Sequence, residues 1–173
     1  MNNMKNLLAV IDMQNDFVDG ALGTPEAVAI VPAVEKLVRE KLSDGWDVVF
    51  TRDTHFENYL DTSEGKKLPV KHCLKGTDGW QIVPSLLPFA QKVFDKNTFG
   101  SFELADYVSK NDFSSVLLAG VCTDICVISN AIIIKAKCPE TKVSVKVNCC
   151  AGVLPASHLN AVSTMKMCQI DIE

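Results

Sequence analysis

Short apolar runs, each bounded by polar residues, recur along the chain and predict the strands of a buried sheet. Several are rich in β-branched residues, which favours strand over helix at this length. The predicted strands are residues 7–11, 47–51, 92–94, 116–119 and 143–147, with a sixth at 169–172. Runs that are apolar throughout are typical of parallel strands covered on both faces.

Segments with helical spacing of apolar residues lie between these runs. The first predicted helix has Pro32 in its first turn and ends at Gly45. Its apolar side chains share one face: Val34, Leu37, Val38 and Leu42. Three further helices are predicted over residues 102–110, 124–137 and 158–167. Residues 54–81 show no clear periodicity, and loops of that length usually carry function.

The alternation of strands and helices predicts parallel pairing with right-handed crossovers. The expected fold is α/β with three layers, in which a doubly wound, mostly parallel sheet of about six strands has helices on both faces. With 173 residues, the chain is long enough for one substantial core and short for two. A single domain over residues 1–173 is therefore expected.

Charge and composition narrow the set of partners. The chain has 17 Lys and Arg and 21 Asp and Glu, a net charge of −4, without a basic stripe, so nucleic acid is not expected. The first apolar run ends at Asp12 and no later run spans a bilayer, so we expect no membrane association and a cytoplasmic location. The seven cysteines fit reduced thiols, with Cys149, Cys150 and Cys168 as buried apolar fillers.

Chemically reactive side chains follow four successive predicted strands. Asp12 follows the first, residues 52–55 the second, Lys96 the third, and a segment ending at Cys126 the fourth. Each has an ordinary explanation alone, as a turn cap, a surface charge or a buried filler. Ligands of open parallel sheets bind outside the carboxyl ends of the strands, so their joint occurrence there predicts a functional site.

Cys126 lies in the first turn of the helix that opens after Gly120. Unpaired backbone N–H groups and the helix dipole favour a thiolate at such a position, and a nearby Lys96 would act in the same direction. The same N–H groups could bind the oxyanion that forms when a carbonyl is attacked. The sequence thus predicts Cys126 as a nucleophile.

Four motifs along nearly the whole chain resemble those of the isochorismatase-like cysteine hydrolases, the superfamily that includes nicotinamidases. They span residues 10–17, 51–55, 95–102 and 120–127. Their order and spacing make the resemblance specific. It implies the isochorismatase-like hydrolase fold and a catalytic triad.

In that triad the resemblance places Asp12 as proton acceptor, Lys96 as stabilising cation and Cys126 as nucleophile. It also implies a non-proline cis peptide between Val121 and Cys122, with the N–H groups of Cys122 and Cys126 forming the oxyanion hole. The substrate carbonyl is expected over the backbone of these last residues, so Val121 is a predicted substrate-binding position.

Phe17 resembles the aromatic residue that flanks a nicotinamide ring in this family, and is the other predicted substrate-binding residue. A lone Phe is equally common in a core. His158 has no motif around it and is expected to cap or cover the last helix.

The nicotinamidase branch of the superfamily holds a divalent metal beside the nucleophile, and the resemblance carries over most of its ligands. Asp53, His55 and His72 match the family pattern, but Tyr59 stands where a middle His is common. A variant of the pattern uses a Glu further along, which falls on Glu64. The implied ligands are therefore Asp53, His55, Glu64 and His72, although both His could also be ordinary loop residues. Mixed oxygen and nitrogen ligands suit Zn, with Mn or Fe as alternatives.

The predicted function is a cysteine-dependent amidohydrolase that cleaves a small, nicotinamide-like amide to acid and ammonia through a thioester. One alternative is a carbamoyl-amide hydrolase. Another is a non-catalytic binding protein of the same fold, or a redox protein that uses Cys122 and Cys126. Self-association is frequent in the superfamily, so the resemblance also implies a homo-oligomer.

Overall fold

A six-stranded sheet forms the centre of the computed structural model, which describes residues 5–173. The strands are β1 (Asn6–Ile11), β2 (Asp47–Asp53), β3 (Val93–Lys96), β4 (Ser115–Val121), β5 (Lys142–Ala151) and β6 (Asp171–Ile172). Their order is β3-β2-β1-β4-β5-β6, and every neighbouring pair is parallel. The predicted α/β class and strand number are confirmed.

Helices cover both faces of the sheet. They are α1 (Asn15–Val18), α2 (Pro25–Ser43), α3 (Ser63–Lys67), α4 (Phe102–Asn111), α5 (Ile128–Lys137) and α6 (Pro155–Met167). Helix α2 packs over Leu8 and Val10 of β1, while α4, α5 and α6 pack over Leu7, Ala9 and Ile11 on the opposite face. The alternation along β1 confirms the three-layer arrangement. Within residues 5–173, no helix is long and apolar enough to cross a bilayer.

Helix α2 begins at Pro25 rather than near Pro32, so the predicted start is wrong. The Thr24 side chain accepts a hydrogen bond from the Ala27 N–H at 3.0 Å, and Pro25 takes the first-turn position where no N–H is needed. Pro32 therefore lies inside the helix. The predicted apolar face also ends earlier, because Val34, Leu37 and Val38 are buried but Leu42 is 44% exposed.

The predicted helix over residues 124–137 is divided in two. Thr123–Val127 forms a π-helical turn that contains Cys126, and regular α-helix follows as α5. Single π turns are frequent at functional sites because they reposition side chains and backbone N–H groups. Among the cysteines expected to be buried, Cys149 and Cys150 are, but Cys168 is exposed because it lies just beyond the last turn of α6.

The strand order reverses between β1 and β4, which creates a crevice at their carboxyl ends. Gly120 makes the close approach of these strands possible, since it has a φ of +120° and a Cβ there would collide with the Ile11 carbonyl oxygen. Asp12 leaves β1 beside the crevice and Cys126 follows β4. The fold therefore places both residues at the position where parallel sheets bind ligands.

Replacing Pro32 by Ala should stabilise the protein. Alanine restores the missing N–H and removes the ring clash inside α2, and both changes favour the folded state. Alanine also makes the unfolded chain less restricted than proline does, which opposes part of this gain. We expect the free energy of unfolding to rise by about 2 kcal/mol in total. Urea denaturation measures the change, with Pro25→Ala as the matched control that gains no hydrogen bond. A Pro32→Ala protein no more stable than Pro25→Ala would contradict this account of α2.

Candidate active site and metal cluster

A cavity of about 850 Å³ lies at the carboxyl ends of the strands. Cys122, Ile125 and Cys126 of the turn after β4 form part of its wall. The segment after β2 forms much of the remainder, including His55 and His72. The long aperiodic segment therefore contributes directly to the cavity, as its length predicted.

Asp12 is held in an unusual backbone conformation directly after β1. Its φ is 48°, in the left-handed region that few non-glycine residues adopt and that is enriched at functional sites. Its side chain is fully buried, and Oδ1 accepts a hydrogen bond from the Thr51 hydroxyl at 2.6 Å. Oδ2 lies 2.6 Å from Nζ of Lys96. Asp12 and Lys96 thus form a buried ion pair across the ends of β1 and β3.

Lys96 reaches three reactive groups from the end of β3. Besides Asp12, its Nζ lies 3.7 Å from Sγ of Cys126 and 3.5 Å from Oδ1 of Asp53. Burial alone would lower the pKa of Lys96, but the Asp12 carboxylate, with Cys126 and Asp53, raises it instead. The side chain is therefore a permanent ammonium, only 5% exposed.

The helical position of Cys126 favours a thiolate, but burial and the Asp12 carboxylate act against it. Burial raises its pKa well above the ordinary cysteine value, the Asp12 carboxylate raises it further, and Lys96 opposes them only in part. Burial also raises the pKa of Asp12, against the opposing effect of Lys96. A carboxylate with a raised pKa beside a protonated thiol is suited to accept the thiol proton during attack rather than beforehand.

The peptide bond between Val121 and Cys122 is cis, as the resemblance implied. Cys122 and Cys126 both line the cavity, whereas the Val121 side chain is 1% exposed and packs in the core on the α2 side. Phe17 lines the cavity, and its ring centroid lies 5.5 Å from that of His72. The Phe17 side chain therefore faces the space where a ligand would bind, whereas Val121 could contact a ligand only through its backbone, as predicted.

The four predicted metal ligands converge beside the cavity. One ligand atom from each of Asp53, His55, Glu64 and His72 lies within 4.8 Å of all the others. Nε2 of His72 is 3.5 Å from Oδ2 of Asp53 and 3.7 Å from Oε1 of Glu64. Ligands bound to one tetrahedral ion at about 2.1 Å are roughly 3.4 Å apart, so these separations fit a single divalent cation.

The acidic groups around the cluster also fit a cation. Burial alone would lower the pKa of His72, but the neighbouring Asp53 and Glu64 carboxylates raise it, so the cluster favours positive charge. Oδ1 of Asp53 is buried and accepts no hydrogen bond from any residue between 5 and 173. A divalent ion would offset the charge of these carboxylates in this buried position.

Tyr59, which replaces a common family ligand, supports the two imidazoles from behind. Its ring is fully buried and meets His55 and His72 edge-on at centroid distances of 4.7 and 5.0 Å. Its hydroxyl donates to the Leu68 carbonyl at 2.9 Å. Nδ1 of His72 lies 2.8 Å from the Val70 carbonyl, which fixes the ring and leaves Nε2 directed at the cluster.

Gln14 was not among the predicted site residues, but its side chain holds the backbone of Asp53. Its fully buried amide donates to the carbonyl oxygens of Asp53 and Trp80 at 2.8 and 2.9 Å, and it accepts from the Asp53 N–H at 2.7 Å. Gln14 lies inside a family motif, which was the available signal. It fixes the point where β2 delivers Asp53, one of the predicted metal ligands.

His158 was expected to cap or cover the last helix. It lies in that helix and also contacts the turn that carries Cys126. Its Nδ1 lies 2.8 Å from the hydroxyl of Thr123, which is fully buried in the π turn. The adjacent Asp124 carboxylate accepts from the Val153 N–H at 3.1 Å. Through Val153 and His158, the chain after β5 therefore holds the turn that carries Cys126. No local sequence pattern around His158 predicts this contact.

Comparison with known proteins agrees with this geometry. Residues 6–172 match the isochorismatase domain family. The uncharacterized isochorismatase family protein PncA of Bacillus subtilis is 34% identical over 75% of this chain and 78% of its own length. A nicotinamidase of Saccharomyces cerevisiae is 27% identical over 75% of this chain and 80% of its own. The crystal structure of Pyrococcus horikoshii pyrazinamidase in complex with zinc is 30% identical, with a TM-score of 0.86 over 98% of both chains.

Removal of the Lys96 ammonium should destabilise the fold strongly. Lys96→Met leaves Asp12 as a buried carboxylate without its partner, so we expect the free energy of unfolding to fall by about 3–5 kcal/mol in urea denaturation. Lys142→Met is the control, since that lysine makes only exposed ion pairs with Asp171 and Glu173. Equal losses of unfolding free energy in the two variants would show that the buried Asp12–Lys96 pair stabilises the fold no more than an exposed pair does.

Proposed function

The chain belongs to the isochorismatase family, and on that premise we propose that it is a cysteine-dependent hydrolase of a small, nicotinamide-like amide. The observation that carries the proposal is that Cys126, in the cavity wall, lies 3.7 Å from the buried Lys96 ammonium, which is itself paired with Asp12. The nicotinamidase and pyrazinamidase relatives support the choice of an amide substrate. The metal cluster beside the thiol favours a substrate with a ring nitrogen over a carbamoyl amide.

In the proposed reaction, Asp12 takes the proton of the Cys126 thiol as sulfur attacks the amide carbonyl carbon. The resulting oxyanion binds the backbone N–H groups of Cys122 and Cys126. Collapse of the tetrahedral intermediate breaks the C–N bond, and Asp12 returns its proton to the departing ammonia. Water then attacks the thioester, gives a proton to Asp12 and releases the acid. That proton returns to the thiol, which restores the resting state.

Lys96 stabilises the thiolate that exists during attack, because its ammonium lies 3.7 Å from Sγ. Asp12 can accept a proton only while it is ionised. Burial raises its pKa, and the Lys96 ammonium opposes that effect and so favours the carboxylate. Phe17 packs against the substrate ring from the cavity wall.

We propose zinc as the ion held by Asp53, His55, Glu64 and His72, because two imidazoles and two carboxylates suit it and a pyrazinamidase relative is a zinc complex. When bound, it supplies Lewis acidity toward a ring nitrogen or a water molecule. His72 is oriented for the ion by Val70, and Asp53 by Gln14.

Release of ammonia from a panel of amides tests the proposed function. With metal-replete protein, we expect turnover of nicotinamide or pyrazinamide and its complete loss in Cys126→Ala, which removes the nucleophile. Cys168→Ala, at an exposed position, is the control and should retain full turnover. Turnover of a carbamoyl amide alone would favour the alternative, and undiminished turnover by Cys126→Ala would contradict the mechanism.

The contribution of Glu64 to the metal site can be measured without substrate. Loss of a ligand should weaken zinc affinity by at least about 100-fold, which exceeds the usual effect of residues behind the ligands. Competition with a chelator would compare Glu64→Gln with Glu57→Gln, whose carboxylate pairs with exposed Lys71 outside the cluster. Equal affinities in the two variants would remove Glu64 from the ligand set.

A further inference from the structure

Asn130 is a fully buried polar residue that the proposed reaction does not use. It lies in the first turn of α5, outside the cavity wall. Its amide makes three hydrogen bonds to backbone groups. Oδ1 accepts from the Ser101 N–H at 2.9 Å, and Nδ2 donates to the carbonyl oxygens of Phe99 and Cys126 at 3.1 and 2.9 Å. Both amide hydrogens and the carbonyl oxygen are therefore engaged.

These bonds join two parts of the active site that the sheet keeps apart. Phe99 and Ser101 belong to the segment that follows Lys96, and Cys126 belongs to the turn after β4. Because β2 and β1 lie between β3 and β4, roughly 14 Å of sheet separates these two strands. β3 and β4 do not pair with each other, so direct strand pairing cannot set the 3.7 Å separation of the Lys96 and Cys126 side chains.

The segment after Lys96 also packs directly on α5. A Cβ at Gly100 would collide with the end of the Ile133 side chain and would contact Ser129, both of which are α5 residues. The Ser101 hydroxyl accepts from the Leu104 N–H at 3.1 Å and begins α4. The segment is thus held at three successive residues, with the Asn130 amide as its polar link to the nucleophile turn.

We propose that Asn130 is a positioning residue that sets the distance between the Lys96 ammonium and the Cys126 sulfur. The inference rests on the proposed function, since it assigns reactivity to that pair. Its side chain touches neither cavity nor substrate and acts through the backbone of Phe99, Ser101 and Cys126. Small displacements of reacting groups can lower rates about 100-fold, so this link should matter for turnover more than for binding.

The test compares Asn130→Asp and Asn130→Ser with wild-type, metal-replete protein. Aspartate keeps the shape of the side chain but loses both donors. Serine is smaller and keeps one hydroxyl donor, and it serves as the test if the charged variant fails to fold. We expect kcat to fall about 10- to 100-fold with a smaller change in KM, because the His55 and His72 side of the cavity makes no contact with Asn130. Asn111→Asp is the control, since the Asn111 amide donates only to Tyr107 within α4.

A second measurement distinguishes failure of this inference from failure of the proposed function. The rate at which iodoacetamide alkylates Cys126, located by tandem mass spectrometry, needs no substrate, and exposed Cys168 provides an internal reference. We expect slower alkylation of Cys126 in both Asn130 variants at an unchanged Cys168 rate. Folded variants with wild-type kcat and alkylation would overturn the inference. If wild-type protein turned over no amide, a slowed alkylation would still support the role of Asn130.

Discussion

The buried ion pair between Asp12 and Lys96 is the constraint on which the rest of the site depends. Removing both groups from water is costly, and their attraction compensates only when the geometry is good and the remaining polar atoms are satisfied. In the structure the two charges lie 2.6 Å apart, and the Thr51 hydroxyl donates to the second Asp12 oxygen. The pair requires β1 and β3 to end at the same level although β2 lies between them.

This pair also explains how a buried thiol can be a nucleophile. Burial and the Asp12 carboxylate raise the pKa of Cys126, which favours the protonated thiol, and in the proposed reaction Asp12 accepts its proton. The metal cluster continues the same charge arrangement, because Asp53 faces Lys96 through Oδ1 and the imidazoles through Oδ2. Cys126, Asp12 and Asp53 therefore form one electrostatic unit around Lys96.

Much of this arrangement could be predicted from sequence because it is encoded locally. Apolar runs gave the strands, and residues at strand ends gave the groups that meet at the rim, since parallel strands share one carboxyl edge. Local patterns failed where two local solutions compete, as at Pro25 and Pro32, either of which can begin a helix. They also do not determine the pKa of Cys126, because burial and Asp12 raise it and sequence spacing reveals neither effect.

The supporting polar residues were the hardest to foresee. Gln14, Asn130 and His158 each bond to groups far away in the sequence, so no spacing rule identifies them. Such residues determine where backbone segments lie, which the pattern of apolar positions leaves undetermined. Only the folded structure shows that the nucleophile turn is tied to both the Lys96 segment and the segment after β5.

The covalent intermediate offers the most direct test of the central claim that Cys126 attacks an amide with Asp12 and Lys96 beside it. Wild-type protein would be mixed with a hydrolysed amide, quenched in acid within a turnover and digested for mass spectrometry. The account predicts an acyl group on Cys126 alone, in thioester linkage. An acyl group on Cys122, or turnover without any acylated cysteine, would contradict it.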